Sequence, residues 1–273
     1  MIGRTLKLIV VALGLASSLS ATPALPLQDG EKLTYRVSWA IVPGAGEIKI
    51  SARQDAANDR LVVTTNTATR GLAKMLLPFQ AEASSVFDLK TGRMISLLEK
   101  NVTKGRRSEH TVTFDFDSRI ATYAPVGSTE KPRDLPMPPG DPTDLMMGLL
   151  QTRTWDLTPG QKRDVLVLFD DDFYELTIHM ARYEDVVTPV GKFRTVVLEP
   201  RMDKTPPKGM FRRGSSVRIW IAQDSHRLPV KFEVEFKIGT GSATLEAYEA
   251  PSSAKPAVGT ATSRARDGQN PRS

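Results

Sequence analysis

Residues able to do covalent or metal chemistry are few in this chain, and their spacing decides what they could do. There are three histidines, His110, His179 and His226, and no cysteine. No two histidines stand at i, i+2 or i+4, so no metal-ligand spacing exists. Each reads as a structural or solvated side chain. Asp170, Asp171 and Asp172 form the densest acidic run, and a divalent cation seeks such oxygens. The run lies between two strand patterns, where Asp serves turns, and it lacks the glycine and later Glu of an EF-hand loop. Asp115 and Asp117 stand two apart on one strand face, the pattern of a carboxylate pair for hydrolysis. Ser118 and Arg119 signal a turn just after them. Ser215 and Ser216 follow Gly214 with no His or Asp at a telling spacing. No G-x-S-x-G elbow, glycine-rich phosphate loop or H-E-x-x-H motif occurs. The sequence leads us to expect no catalytic residue, no metal site and no cofactor. Hydrolysis of envelope polymers through Asp115 or the Asp170 to Asp172 run is kept only as a third reading.

The remaining signal is apolar. Trp39 and Trp220 sit in predicted strands. Met75 and Phe79 belong to an apolar stretch between glycine and proline, and Met146 and Leu149 to a helical pattern. Phe232 and Phe236 sit in the most regular alternation of the chain. Flexible methionines and large rings suit ligands of variable shape. Trp39, Met75, Phe79, Met146, Leu149, Trp220, Phe232 and Phe236 are therefore the candidate ligand-facing side chains. The competing reading makes them ordinary core, plugging the end of a barrel or sandwich.

The elements that must position these residues are mostly strands. In VKFEVEFKI, Val230, Phe232, Val234, Phe236 and Ile238 alternate with charged residues, so they share one face of a strand. Leu33, Tyr35, Val37 and Trp39 alternate likewise, and a turn is expected at Pro43-Gly44-Ala45-Gly46. Leu61 to Arg70 is rich in Val and Thr. Turn signals recur at Lys90-Thr91-Gly92 and Lys104-Gly105-Arg106. Gly71 to Phe79 breaks the strand pattern as a short helical turn or apolar loop. The Pro-rich residues 125 to 142 read as a connector without regular structure. The DPTD sequence that follows suggests Asp141 as an N-cap and Pro142 at the first helical position. Leu145, Met146, Leu149 and Leu150 then follow at helical spacing.

The expected fold class is all-β and mostly antiparallel. It would be a strongly curved sheet or a partly open barrel or sandwich, with one short helix around residues 142 to 152. Residues 28 to 249 form one β-rich domain in this reading. Residues 1 to 20 read as an export signal, with Arg4 and Lys7 before the apolar run Leu8 to Leu15. That run falls short of the roughly 20 residues a membrane span needs. Residues 250 to 273 lack the apolar content to order themselves. The expected location is periplasmic, without lipid attachment at a cysteine and without disulfides. The net charge of +6 is mild for 273 residues. Basic clusters at Lys104, Arg106 and Arg107 and at Lys204, Lys208, Arg212 and Arg213 read as solvated loops, with anionic headgroups as the other option. No aromatic-basic motif points to nucleic acid.

One family resemblance rests on the order of several motifs. These are GEKLTYRVSWAIVPGAGEIKI, GLAKMLLPF, DPTDLMMGLLQTR, TPVGKFRTVVLEPRM, RGSSVRIWIAQDSHRLPVKFEVEF and GSATLEAY. The chain resembles the bacterial domain of unknown function 3108 over nearly the whole of residues 28 to 249. The firmest landmark is the hairpin Trp220, Asp224, Arg227, Leu228, Pro229 and Val230, with His226 where a small or basic residue is more usual. The resemblance implies an exported β-rich protein with no assigned activity, of an architecture similar to the curved sheets of periplasmic Lol lipoprotein carriers. The combined expectation is non-catalytic binding of a hydrophobic or lipid-like ligand. The alternative is an envelope assembly protein acting on partners through loops and sheet edges.

Overall fold

The computed structural model describes residues 24–40, 42–169, 171–207, 209–211, 215–237 and 239–252. The expected export signal and most of the expected C-terminal tail lie outside them, as do Asp170, Lys208, Arg212, Arg213 and Ile238.

Each period-two stretch becomes a strand of one continuous sheet. The first arm holds β1 (Lys32–Trp39), β2 (Val42–Asp55), β3 (Arg60–Thr69), β4 (Phe79–Asp88), β5 (Met94–Thr103), β6 (Arg106–Asp115), β7 (Ile120–Pro125) and β8 (Arg133–Pro136). A short helix α1 (Gly71–Leu76) joins β3 to β4. After β8 come β9 (Thr143–Asp144), helix α2 (Leu145–Leu150) and a 3-10 turn over Gln151–Thr154. The second arm holds β10 (Lys162–Phe169), β11 (Asp172–Thr188), β12 (Gly191–Arg201), β13 (Ser216–Ala222), β14 (Pro229–Phe236) and β15 (Gly239–Glu249). The order is 8-7-6-5-4-3-2-1-15-14-13-12-11-10-9 across 15 strands. Every pairing is antiparallel except β9 with β10. The sheet is all-β in class and strongly curved, and it is not closed into a barrel.

The topology itself forces the curvature. The chain starts in the middle of the sheet, runs out to the β8 edge, and resumes at the opposite edge, β9. The connector from Pro136 to Thr143 can span at most about 25 Å. Laid flat at a spacing of about 4.8 Å, the 15 strands would hold those edges about 65 Å apart. The two edges must therefore swing towards each other. An ion pair fastens them, with Arg133 of β8 held 2.5 Å from Asp171 in the β10–β11 turn.

Helix α2 fills the fold between the arms. Its Met147 and Leu150 join the larger core cluster with Leu33, Tyr35, Ile50 and Val112. Its Leu149 joins a second cluster with Leu176, Ile178, Leu198 and Ile219. The helix lies close on β10 because Gly148 has no side chain. A Cβ there would meet Val167 Cγ1 at 2.7 Å.

Four local expectations need correction. The N-cap of α2 is Asp144, whose carboxylate accepts from the Met147 N–H at 2.9 Å. Asp141 instead pairs with Arg93 at 3.0 Å, and Thr143 and Asp144 are drawn into the sheet as β9 beside Val167 and Leu168. The Pro-rich connector contains β8, because an edge strand tolerates a residue without an N–H. The helical turn or loop expected over Gly71 to Phe79 forms as helix α1, so there are two short helices among the described residues where one was expected. The turn after β1 comes at Ala40 with φ 48°, so Pro43 to Gly46 lie inside β2. The turn at Lys104-Gly105 matches expectation. Both residues have positive φ, 50° and 78°, the backbone of a two-residue hairpin turn.

One buried cation stitches segments that are distant in sequence. Arg153 donates to Glu31 Oε1 at 2.7 Å and to the carbonyls of Pro26 (2.8 Å), His226 (3.0 Å) and Arg227 (3.2 Å). The Arg153 and Glu31 side chains are only 9% and 2% exposed. Removing the cation leaves Glu31 buried with an unpaired charge. Arg153→Met is therefore expected to cost about 3–5 kcal/mol in urea unfolding, and Glu31→Leu/Arg153→Met to cost clearly less than Arg153→Met alone.

Candidate functional site

The concave face of the sheet does not fill completely. Between the arms, beneath α2, lies a cavity of about 550 Å³. One wall comes from β1, β2, β3 and β4, with Val37, Trp39, Ile48 and Phe79. The facing wall comes from β13, β14 and β15, with Val217, Phe232, Val234, Phe236 and Ala243. Met146 and Leu149 of α2 line it as well, and it stays partly open to solvent. The strand register explains the convergence. Phe232 lies opposite Ala243, and Ala243 opposite Val37, so one parity of each strand points inward. Trp39 lies over Gly241, where a Cβ would sit 3.0 Å from the indole ring, and tilts against Phe236 at a centroid distance of 5.7 Å. Composition gave no sign that Gly241 seats this ring.

Trp39, Phe79, Met146, Leu149, Phe232 and Phe236 are thus brought together around one cavity. The structure does not place Trp220 or Met75 there. Trp220 sits opposite Lys231, on the other face from Phe232. It is buried, its N–H donates to Glu184 Oε1 at 3.1 Å, and the Lys231 ammonium stands 4.3 Å over its ring. Met75 projects from α1 at 80% exposure. Period two puts Trp220 on the outward face of β13, and Met75 belongs to a helix that faces solvent.

Three acidic residues interrupt the apolar lining, Glu99, Asp144 and Glu233, and Glu233 is paired with Arg218 and Lys231. Asp144 is buried and lies 2.5 Å from the Ser85 hydroxyl of β4, across the fold from α2. Its burial pushes the carboxyl pKa up, and the hydrogen bonds from Ser85 and the Met147 N–H only partly offset this. Glu99 lies 3.2 Å from His110 Nε2, too far off line for a hydrogen bond, and the His110 ring stacks on Tyr123 at 4.7 Å. The sequence reading missed this group because its members stand on β4, β5, β6 and α2.

The residues considered for chemistry are taken up elsewhere. Asp115 accepts from the Asp117 and Ser118 N–H groups, which stabilise its charged form and lower its pKa. It is a turn anchor. Asp171 holds Arg133, and Asp172 accepts from the Phe173 N–H. His179 contacts Asp203 at 2.7 Å, and His226 meets the edge of Tyr248. Among the described residues no three His, Asp or Glu side chains gather as a metal site. Lys204 is held by Asp164 and Glu175. A second hollow of about 550 Å³, around Arg93, Asp141 and Arg163, has a mixed polar and apolar lining. Among the described residues no helix is long and apolar enough to cross a membrane.

Residues 34–246 match the sequence profile of the family described as protein of unknown function DUF3108. The chain belongs to the DUF3108 family. No curated protein matches the sequence. Among solved structures, this DUF3108 chain is similar to a β-barrel-like protein of the domain of unknown function DUF1849 from Brucella abortus. The TM-score is 0.53 and the identity 10%, over 83% of this chain and 99% of that one. The likeness concerns the fold alone. A "putative lipoprotein" from Parabacteroides distasonis aligns at a TM-score of 0.32 and 10% identity, over 82% of this chain and 97% of that one. A "putative exported protein with YmcC-like fold" from Bacteroides fragilis aligns at 0.32 and 13%, over 82% and 98%. Both scores are too low to carry an argument about this DUF3108 protein.

The raised pKa of Asp144 makes a stability prediction. The folded chain keeps this proton to higher pH than the unfolded chain, whose Asp titrates near 3.9. Stability from the neutral carboxyl is complete below about pH 4 and is lost as pH rises through the folded pKa. The unfolding free energy of the wild type minus that of Asp144→Asn is therefore expected to fall as pH rises above about 4. Taking this difference cancels the opposite slope from carboxylates such as Asp88 and Asp115, whose pKa values are lowered. Urea titrations across pH 3 to 8 check it, and a flat difference would sink the assignment.

Proposed function

We propose that this protein is a non-catalytic binding protein of the cell envelope, exported to the periplasm, that holds a hydrophobic or lipid-like ligand on the concave face of its sheet. The observation that carries the reading is the cavity of about 550 Å³ with its apolar walls. Pockets that bury small ligands commonly run from about 300 to 1,000 Å³ and join mostly apolar walls to a few polar groups. The walls here have that character, with Phe79, Phe232, Phe236 and Ile48 as rigid surface and Met146 as an adaptable one. Trp39, Phe79, Met146, Leu149, Phe232 and Phe236 are the side chains proposed to touch the ligand.

The polar groups favour one kind of ligand head. Glu99 and Asp144 are both acids, and Asp144 is held towards its neutral form. Carboxyl oxygens set in an apolar wall accept from a hydroxyl, amide or amine, whereas a free carboxylate brought there would have to shed its water against apolar surface. An acyl chain with a neutral or hydrogen-bond-donating head fits better than a free fatty acid.

Native mass spectrometry of gently purified protein, followed by organic extraction, tests the reading. A defined extra mass that extracts into organic solvent is expected. The delipidated protein is then expected to take up an environment-sensitive hydrophobic dye, competed by long-chain alcohols and amides ahead of fatty acids. Ala83 lines the cavity and is half-buried. Ala83→Trp is expected to lower dye affinity about tenfold or more at a melting temperature within a few degrees of wild type. A bare mass together with no dye uptake would make the face ordinary core.

A further inference from the structure

Helix α1 is built against the usual rule for exposed helices. It buries none of its own residues. Leu72, Met75 and Leu76 are 72%, 80% and 83% exposed, and Leu77 after them is 47% exposed. The helix is nonetheless held firmly in place. Thr69 Oγ1 donates to the Leu77 carbonyl and accepts from the Phe79 N–H, each at 3.0 Å. Arg70, its N-cap residue, is fixed to Glu47 at 2.8 Å. A monomeric protein gains nothing in water from fixing several large aliphatic side chains outward, and such a patch marks a contact surface.

The charges around the patch indicate what it contacts. The β5–β6 turn lies beside the link from α1 to β4, with the Lys104 N–H donating to the Pro78 carbonyl at 3.1 Å. That turn presents Lys104, Arg106 and Arg107, all exposed. Lys74 stands on α1 itself, and Lys237 on the β14–β15 turn at the same end of the sheet. None of these side chains has an ion-pair partner among the described residues, whereas Glu47 nearby is neutralised by both Lys49 and Arg70. This end of the molecule therefore combines protruding aliphatic side chains with unpaired cations.

We infer that the α1 end is a docking surface for an anionic phospholipid bilayer, with Leu72, Met75 and Leu76 entering the headgroup boundary and Lys74, Lys104, Arg106 and Arg107 meeting phosphates. A protein partner would need a matched groove and matched carboxylates. A bilayer supplies apolar depth and negative surface charge together, without a specific shape. Trp39, Phe79 and Phe236 of the cavity wall lie towards this end, so docking would turn the cavity towards the lipid. The inference goes beyond the ligand reading and does not depend on it.

Flotation of the full chain with phosphatidylglycerol-containing vesicles, against pure phosphatidylcholine vesicles, tests it. The wild type is expected to float with the anionic vesicles at low salt and to be released at high salt. Met75→Asp/Leu76→Asp is expected to weaken this binding about tenfold or more, and Arg106→Ala or Arg107→Ala about fivefold each. These positions are exposed, so melting temperatures should hold and dye uptake by the cavity should be unchanged. Absence of binding to the anionic vesicles, or binding equal in Met75→Asp/Leu76→Asp, overturns the inference. So does self-association in sedimentation that the double variant abolishes, without vesicle binding, because the patch would then be a protein interface.

Discussion

One continuous sheet has one inner face to cover, and its two edges are tied by a connector too short to let them part. Most of the architecture follows from that constraint. The chain leaves one edge at Pro136 and re-enters the other at Thr143, so the 15 strands must curl. A curl this wide encloses more space than its own side chains fill. Helix α2 enters as a wedge, sending Met147 and Leu150 to one core cluster and Leu149 to the other. Gly148 permits the wedge to sit tightly on β10. The space left over is the cavity, which arises from closing a sheet without pairing its edges.

Polar contacts act here as fasteners between remote segments. Ser85 and Asp144 join β4 to the start of α2 across 59 residues of sequence. Arg153 joins the segment before β1, at Pro26 and Glu31, to the β13–β14 turn. Arg133 and Asp171 join the two arms near their edges. The Asp144 and Arg153 contacts are costly to bury and more costly to break, so they fix which arrangement of the apolar faces is adopted rather than adding much net stability, whereas the half-exposed Arg133–Asp171 pair contributes little. Asp144 does double duty. It caps the helix and puts a carboxyl in the cavity wall.

Among the described residues, the groups the sequence offered for chemistry, Asp115, Asp171, Asp172 and the three histidines, serve turns, ion pairs and ring contacts. What is concentrated is apolar surface, in two places of opposite character. The cavity hides it behind α2, and α1 displays it among unpaired cations. Membership of the DUF3108 family and likeness to a β-barrel-like structure bear on the fold, and a fold of this kind hosts many functions. The functional argument therefore rests on where the apolar surface lies and on the charges beside it.

Much of this fold was legible in the residues because its rules are local. Alternation such as Val230, Phe232, Val234, Phe236 marks strand phase, Lys104-Gly105 marks its hairpin, and Asp88 and Asp115 mark turns by accepting from the N–H groups ahead of them. Where both faces of a strand are polar, alternation has no contrast, and the far half of β11, from Ala181 to Asp185, was unreadable. Thr143 and Asp144 were read as the first turn of the helix and became strand, because a neighbour distant in sequence, β10, offered them backbone partners. The sequence by itself determined the strand phases, the turn chemistry and the lack of a catalytic motif. Only the tertiary structure decided which face of each strand became concave, that Trp39 and Phe232 share a cavity while Trp220 and Met75 lie outside it, and that Asp144 meets Ser85. The reason is physical. A period of two separates the two faces of a strand, but which face is enclosed depends on how distant strands pair and curl, and no local pattern carries that information.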